Sequence, residues 1–282
     1  MITGTTNQTS IQTIPNALNI AYVTADEAFR LLETEFHRFR QLLDKLNDND
    51  WHKPTACTTW SVKDILAHQA GGYASGTGYR EMIRQYTSKP KPGQLPEDAI
   101  NDLQVNERKH NSPAELIKEL HSVGHIAIRK WAYRFHIAKI ATDLIKVPHP
   151  ISGKMSIRYL MWIIHSRDTW MHRLDICRAT GNLFEQSAEH DGRIAALVML
   201  DVARQLSNKL DGKAITIELK GIAGGIWKAG NGNEVARLRM DVLDFNIFVS
   251  GRYSYEEGLS RATLSGDNDF LKVILKDLLI LF

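Results

Sequence analysis

The chain has 282 residues, of which 43% are hydrophobic and 24% charged, an ordinary composition for a globular protein of one or two domains. Its 35 basic and 32 acidic residues leave a formal charge of +3, too small an excess to argue for nucleic acid as a partner, and no Lys/Arg run is present. No segment reaches the ~18 apolar residues of a membrane span, and the two cysteines, Cys57 and Cys177, make neither a disulfide framework nor a CxxC pair, which fits a reducing cytoplasm.

Residues 1–20 are rich in Thr, Asn and Gln, without a basic start or an apolar core, and are expected to form a flexible arm rather than a signal peptide. The first helix starts at Thr24, where Thr24 and Glu27 make a capping-box pattern. Phe29, Leu32, Phe36, Phe39 and Leu43 then recur at helical spacing until polar residues cluster at 47–50. A loop containing Pro54 runs from Trp51 to Trp60. A second capping box, Ser61 and Asp64, opens a helix through Ile65, Leu66 and His68, which Gly71, Gly72, Gly76 and Gly78 weaken or divide. A Pro-rich connector spans 89–96.

The third helix begins at Ser112 with Pro113 and Glu115 in its first turn, and carries Leu116, Leu120, Ile126 and Trp131 on its apolar side. Residues 147–154, with two prolines and a glycine, read as loop. The fourth helix runs from about Ser156 to Ala179, with Gly181 as its stop, and a fifth covers Ala188 to Leu210. Beyond Gly212 the period changes to strand-like at 215–219, 235–240 and 245–249, with the glycines of 221–232 read as hairpin turns. A closing helix covers Asn268 to Leu281. The pattern predicts two domains: a helical bundle over 21–182, and a small α+β domain with one mainly antiparallel sheet over 183–282.

Asp168 and His172 are four apart on the fourth helix, so both side chains leave one face a single turn from each other. A carboxylate and an imidazole so placed suit one metal ion, with a third donor supplied by another helix. His68 is the candidate. Two imidazoles and one carboxylate match catalytic zinc sites that keep a position open; nickel or iron also suits these donors. Cys57, eleven residues before His68, would lie about 16 Å away along a continuous helix and is not expected to be a ligand. Trp51, Trp60 and Trp170 read as core.

Two stretches carry a family resemblance. Asp50-Trp51-His52-Lys53-Pro54-Thr55 followed by Trp60-Ser61-Val62-Lys63-Asp64-Ile65-Leu66-Ala67-His68 resembles the second-helix signature of DinB-like proteins, in particular the mycothiol-dependent maleylpyruvate isomerases. Arg167-Asp168-Thr169-Trp170-Met171-His172-Arg173-Leu174-Asp175-Ile176 resembles the same family's fourth-helix signature. Asp244-Phe245, Gly251-Arg252 and Leu264-Ser265-Gly266-Asp267 resemble the small sterol-carrier-like domain that follows the bundle. The resemblance implies a four-helix, DinB-like bundle whose metal is held by His68, Asp168 and His172. It departs from the family at Asp168, where glutamate is usual. The shorter side chain draws attention to His165, one turn earlier, as a neighbour that orients the site or even as a ligand.

The resemblance further implies a low-molecular-weight thiol, mycothiol or another, held as thiolate by the metal. Adding to a conjugated double bond and leaving again, it would isomerise a small electrophilic substrate; displacing a leaving group, it would act as a transferase. An acidic substrate needs a cationic clamp, for which Arg252 and Arg261 are the candidates among the arginines of the small domain. Two other functions stay open at this point: a non-catalytic carrier of an apolar ligand with a structural metal, and a metallohydrolase using metal-bound water.

Overall fold

The structure is a computed structural model and describes residues 13–57, 59–134, 144–149 and 153–282. The part of the expected arm before residue 13 lies outside them. From there on the arm is not free. Lys228 donates its backbone N–H to Pro15 at 2.9 Å, Asn16 bridges to Lys228, and Ala17 is fully buried.

Thr24 caps α1 (Ala25–Leu43) by accepting from Glu27 N–H at 3.2 Å. The reciprocal half of the capping box is missing, because the Glu27 carboxylate pairs with Arg193. The helix ends at Leu43, several residues before the polar cluster, in hydrogen-bonded turns at Lys45 and Leu46. In α2 (Val62–Ser75) the Ser61/Asp64 capping box is complete. The glycine cluster then divides the chain after Ser75, and α3 (Tyr79–Tyr86) follows. A complete Ser112/Glu115 box and Pro113 open α5 (Pro113–Arg129), which continues as a π-helical turn at Lys130–Arg134.

Between α3 and α5 lies α4 (Pro96–Arg108), a helix hidden from apolar periodicity because the side chains it buries are Ala99, Gln104 and Arg108. It packs on α2. Gly71 permits this approach, since a Cβ there would lie 2.7 Å from Gln104.

The segment expected as loop at 147–154 is a hairpin, β1 (Lys146–His149) with β2 (Gly153–Ser156), in which Gly153 takes a positive φ of 70°. Ser156 caps the next helix, whose α-helical turn Ile157–Tyr159 and π-helical turn Leu160–Ile164 lead into α6 (His165–Thr180). Gly181, at φ 78°, ends it.

Helices α1, α2, α5 and α6 form a closed ring in which α1 packs on α5 and α6, and α2 packs on the same two. Phe36, Phe39, Ile65, Leu66, Leu116, Leu120, Trp162 and Trp170 fill it. Ile126, expected on the apolar side of α5, is instead exposed.

A helix α7 (His190–Leu206) leads to a four-stranded sheet of β3 (Ala214–Lys220), β4 (Gly225–Ala229), β5 (Glu234–Asp241) and β6 (Thr263–Gly266), in the order β4-β3-β5-β6. The β3–β4 and β5–β6 pairs are antiparallel and β3–β5 is parallel. So the glycine-rich stretch holds a strand as well as turns. The expected strand at 245–249 is helical, α8 (Val242–Val249), capped by Asp241 and buried on nearly every side. A short apolar run buried all round shows neither period, which is why pattern misreads it. Helices α9 (Tyr255–Ser260) and α10 (Asn268–Leu275) complete the unit, the latter ending six residues before the expected Leu281.

Gly124 is where α5 meets α1: a Cβ there would lie 2.1 Å from the ring of fully buried Phe36. Gly124→Ala is expected to destabilise by about 1–3 kcal/mol through overpacking, despite alanine's better helix propensity. An unchanged urea midpoint would show that Phe36 has room to move.

Candidate metal centre

His68 leaves the middle of α2, and Asp168 and His172 leave one face of α6, where the two helices pack together. His68 Nε2 lies 3.3 Å from both Asp168 oxygens, and His172 Nε2 lies 3.4 Å from Asp168 Oδ1. All three donor atoms fall within 4.8 Å of one another. The imidazoles meet edge to face at 4.9 Å between centroids, and both are buried, while the Asp168 side chain keeps 21% of its surface open to a cavity. Aspartate is therefore long enough here to reach both rings.

Two of the three side chains, Asp168 and His172, are anchored from behind. Gln69 donates to Asp168 Oδ2 at 2.6 Å; Thr169 donates to Gln69 Oε1 at 2.9 Å, and the Tyr73 hydroxyl lies 3.1 Å from Thr169 Oγ1. Asp175, one turn beyond His172, accepts at 3.2 Å from the other ring nitrogen, Nδ1. A carboxylate so placed fixes the imidazole's tautomer and orientation. His68 Nδ1 is buried without a hydrogen-bond partner among the described residues. Arg173, adjacent to His172, turns away from Asp175 to the buried acids Glu35 and Asp191.

The site calls for positive charge. Burial acts to raise the Asp168 carboxyl, but His68 and His172 pull it well below the usual carboxylate range. Burial acts to lower His172, and Asp168 raises it well above the ordinary imidazole value. A carboxylate between two imidazoles thus favours a cation at their meeting point, whether protons or a metal ion.

His165 does not join this group. Its ring stacks on Trp131 at 4.0 Å, its Nε2 lies 3.1 Å from the Tyr86 hydroxyl, and burial lowers it to about 4, so it is neutral at pH 7.

Besides residues of α4, three that sequence did not place at the site stand close to it. The segment before α2 folds back, with Val62 N–H donating to Lys53 and Thr55 N–H donating to Trp60, both at 3.1 Å. The fold-back carries Cys57 Sγ to 3.9 Å from His172 Nδ1 and 3.5 Å from Asp175 Oδ2. Distance along a helix was the wrong measure for a residue on a doubled-back loop. Trp60, expected in the core, covers both imidazoles, its ring 4.9 Å from His68 and 5.7 Å from His172. Phe282 is the third, and lines the cavity with them.

The cavity, about 390 Å³, has Trp60, Met171 and Phe282 on its apolar side, and Gln94 with Asp98, Asn101 and Asp102 of α4 on its polar side. Arg252 reaches into it from the sheet-bearing unit. Its Nε donates to Asp175 Oδ1 at 2.8 Å and its Nη2 to Asp175 Oδ2 at 2.7 Å. Arg261 does not line this cavity; it is half-exposed, lies over the Tyr253 ring at 4.5 Å, and pairs with Asp244 and Glu257.

Burial acts to raise Asp175, but Arg252 and His172 outweigh it and bring the carboxyl to about 2. A depressed carboxyl stabilises the fold above its unfolded pKa of ~3.9, and that contribution is lost as pH falls through the folded value. Arg252→Gln is expected to cost about 3–5 kcal/mol at pH 7, by leaving Asp175 buried without its cation. The gap between wild type and variant should narrow as pH falls from 4 toward 2. A gap that stays constant in pH-dependent urea unfolding would dismiss the Asp175–Arg252 pair as its source.

Residues 32–177 match the family model described as the mycothiol maleylpyruvate isomerase N-terminal domain. Among solved structures, the crystal structure of mycothiol-dependent maleylpyruvate isomerase is similar at 15% identity and a TM-score of 0.54, covering 86% of this chain and 93% of that one. The crystal structure of a histidine-to-alanine mutant of that isomerase gives 14% identity and a TM-score of 0.53 over the same shares. At such identity the likeness concerns the fold. No curated protein sequence matches the chain.

Proposed function

The chain belongs to the family of the mycothiol maleylpyruvate isomerase N-terminal domain, and on that premise we propose that it is a metal-dependent enzyme using a low-molecular-weight thiol to isomerise or modify a small acidic electrophile. The observation that carries the reading is the spacing of the donors. Ligands on one tetrahedral ion at ~2.1 Å stand about 3.4 Å apart, and the separations to Asp168 are 3.3 and 3.4 Å.

His68 Nε2, an Asp168 oxygen and His172 Nε2 would hold one divalent cation, with zinc the first expectation and nickel or iron compatible. Such an ion supplies the positive charge that keeps a bound thiol, ordinarily near pKa ~8.5, ionised at neutral pH. The residues of this chain do the rest. Gln69 and Asp175 keep the donors aimed. Trp60 and Phe282 limit water on one side. Arg252 presents its remaining Nη1 to a substrate carboxylate, since Asp175 and Cys57 take the other two nitrogens. Gln94 and, along α4, Asp98, Asn101 and Asp102 would suit a thiol that carries hydroxyl or amine groups. A volume of about 390 Å³ is at the small end of ligand pockets.

Purified protein is expected to carry about one zinc-type ion per chain by elemental analysis. His68→Ala and Asp168→Ala should remove it, and Asp175→Asn should weaken its affinity roughly 10–100-fold by freeing His172 to rotate. Calorimetric titration of the loaded protein with mycothiol, bacillithiol and glutathione then tests the thiol. Full metal content in His68→Ala would overturn the centre. A metal-loaded protein that binds none of the three thiols would overturn the thiol-dependent reaction and leave the centre standing.

A further inference from the structure

A second cavity, of about 470 Å³, lies between the β1–β2 hairpin, α7 and the chain around Ile280. Among the described residues it shares no lining residue with the cavity at the candidate metal centre. Among the described residues its walls carry three cationic side chains, Lys146, Lys154 and Arg204, against one carboxylate, Asp201. The hairpin register sets Lys146 opposite Ser156 and Pro148 opposite Lys154. Paired residues share a face of a hairpin, and so do residues two apart on one strand. Both lysines therefore stand on one face, and both line the cavity.

The single carboxylate does not balance them. Asp201 is held within the wall: buried Arg167 donates to its Oδ2 at 2.9 Å, the Tyr159 hydroxyl donates to the same oxygen, and Arg204 donates to Oδ1 at 3.3 Å. Among the described residues neither lysine has an acidic partner. Like charges on one hairpin face repel, and the repulsion is relieved when an anion enters between them. Tyr22, Met155 and Ile280 add an apolar side.

We propose that this cavity is a second small-molecule site, for an anion that joins a phosphate or carboxylate group to an apolar or aromatic portion. The two lysines and Arg204 grip the charged end, and Tyr22, Met155 and Ile280 take the other. The assignment stands apart from the metal centre and does not depend on it.

Calorimetry on the metal-loaded chain with phenyl phosphate, benzoate and inorganic phosphate tests it. Phenyl phosphate or benzoate should bind saturably and more tightly than inorganic phosphate, and the preferred head group tells a phosphate ligand from a carboxylate one. Binding should fall at least tenfold in K146Q/K154Q, with metal content unchanged, and should survive metal removal by a chelator. R204Q, on the opposite wall, should weaken it too, and decides the matter if the hairpin variant fails to fold by circular dichroism. No saturable binding of either aromatic anion, or binding that these variants leave intact, overturns the proposal.

Discussion

A carboxylate caught between two imidazoles from different helices is the constraint on which the helical bundle turns. Asp168 meets both His68 and His172 only while α2 and α6 lie side by side at a set rotation. Three polar side chains so buried have no stable arrangement alone, since an uncompensated charge out of water costs several kcal/mol. The surrounding core holds them. Ile65 and Leu66 precede His68, and Trp170 and Met171 precede His172, all fully buried; each such side chain is worth ~1.5–3 kcal/mol in burial. The apolar neighbours fix where the helices touch, and the polar trio occupies the point of contact.

A second polar chain ties the two structural units together at the same place. His172 uses one ring nitrogen toward Asp168 and the other toward Asp175, and Asp175 in turn takes the two-pronged Arg252 from the segment after α8. Moving the sheet-bearing unit would strip a buried carboxylate of its cation and loosen the imidazole it steadies. Arg167, immediately before Asp168, makes a parallel link: its guanidinium donates to Leu281 O at 3.0 Å and lies 5.6 Å from the Phe282 ring. α6 is thus joined to the far unit at two points along its length, Arg167 and Asp175.

What sequence could reveal follows from how local each signal is. The Ser61/Asp64 box, the helix start at Ser112 with Pro113, the Gly181 stop and the Asp168/His172 spacing depend on residues within one or two turns, and each appears where expected. α4 escaped because its buried side is a glutamine and an arginine, so no apolar stripe marks it, yet it supplies one wall of the cavity. Cys57 and Trp60 escaped because a folded-back loop, not a helical rise, sets their distance from His172. Asp175 stands one turn beyond His172 on the same helix. Its pairing with Arg252, seventy-seven residues later, is a tertiary fact with no local trace. α8 read as strand because burial on all sides erases the period that separates the two.

The cavity at the candidate metal centre is electrically lopsided, and under the proposed reading that would order its contents. Arg252 and the position between His68, Asp168 and His172 lie on the wall formed with α6. Asp98 and Asp102 lie on the α4 wall, where Gln94 donates to Asp102 at 2.8 Å. A ligand with carboxylates at both ends would meet repulsion along α4, whereas one with an acid at one end and hydroxyl or amine groups at the other meets complementary partners throughout. Within a single ligand of the proposed kind, the acid end would therefore turn toward Arg252 and the hydroxyl-bearing end toward α4.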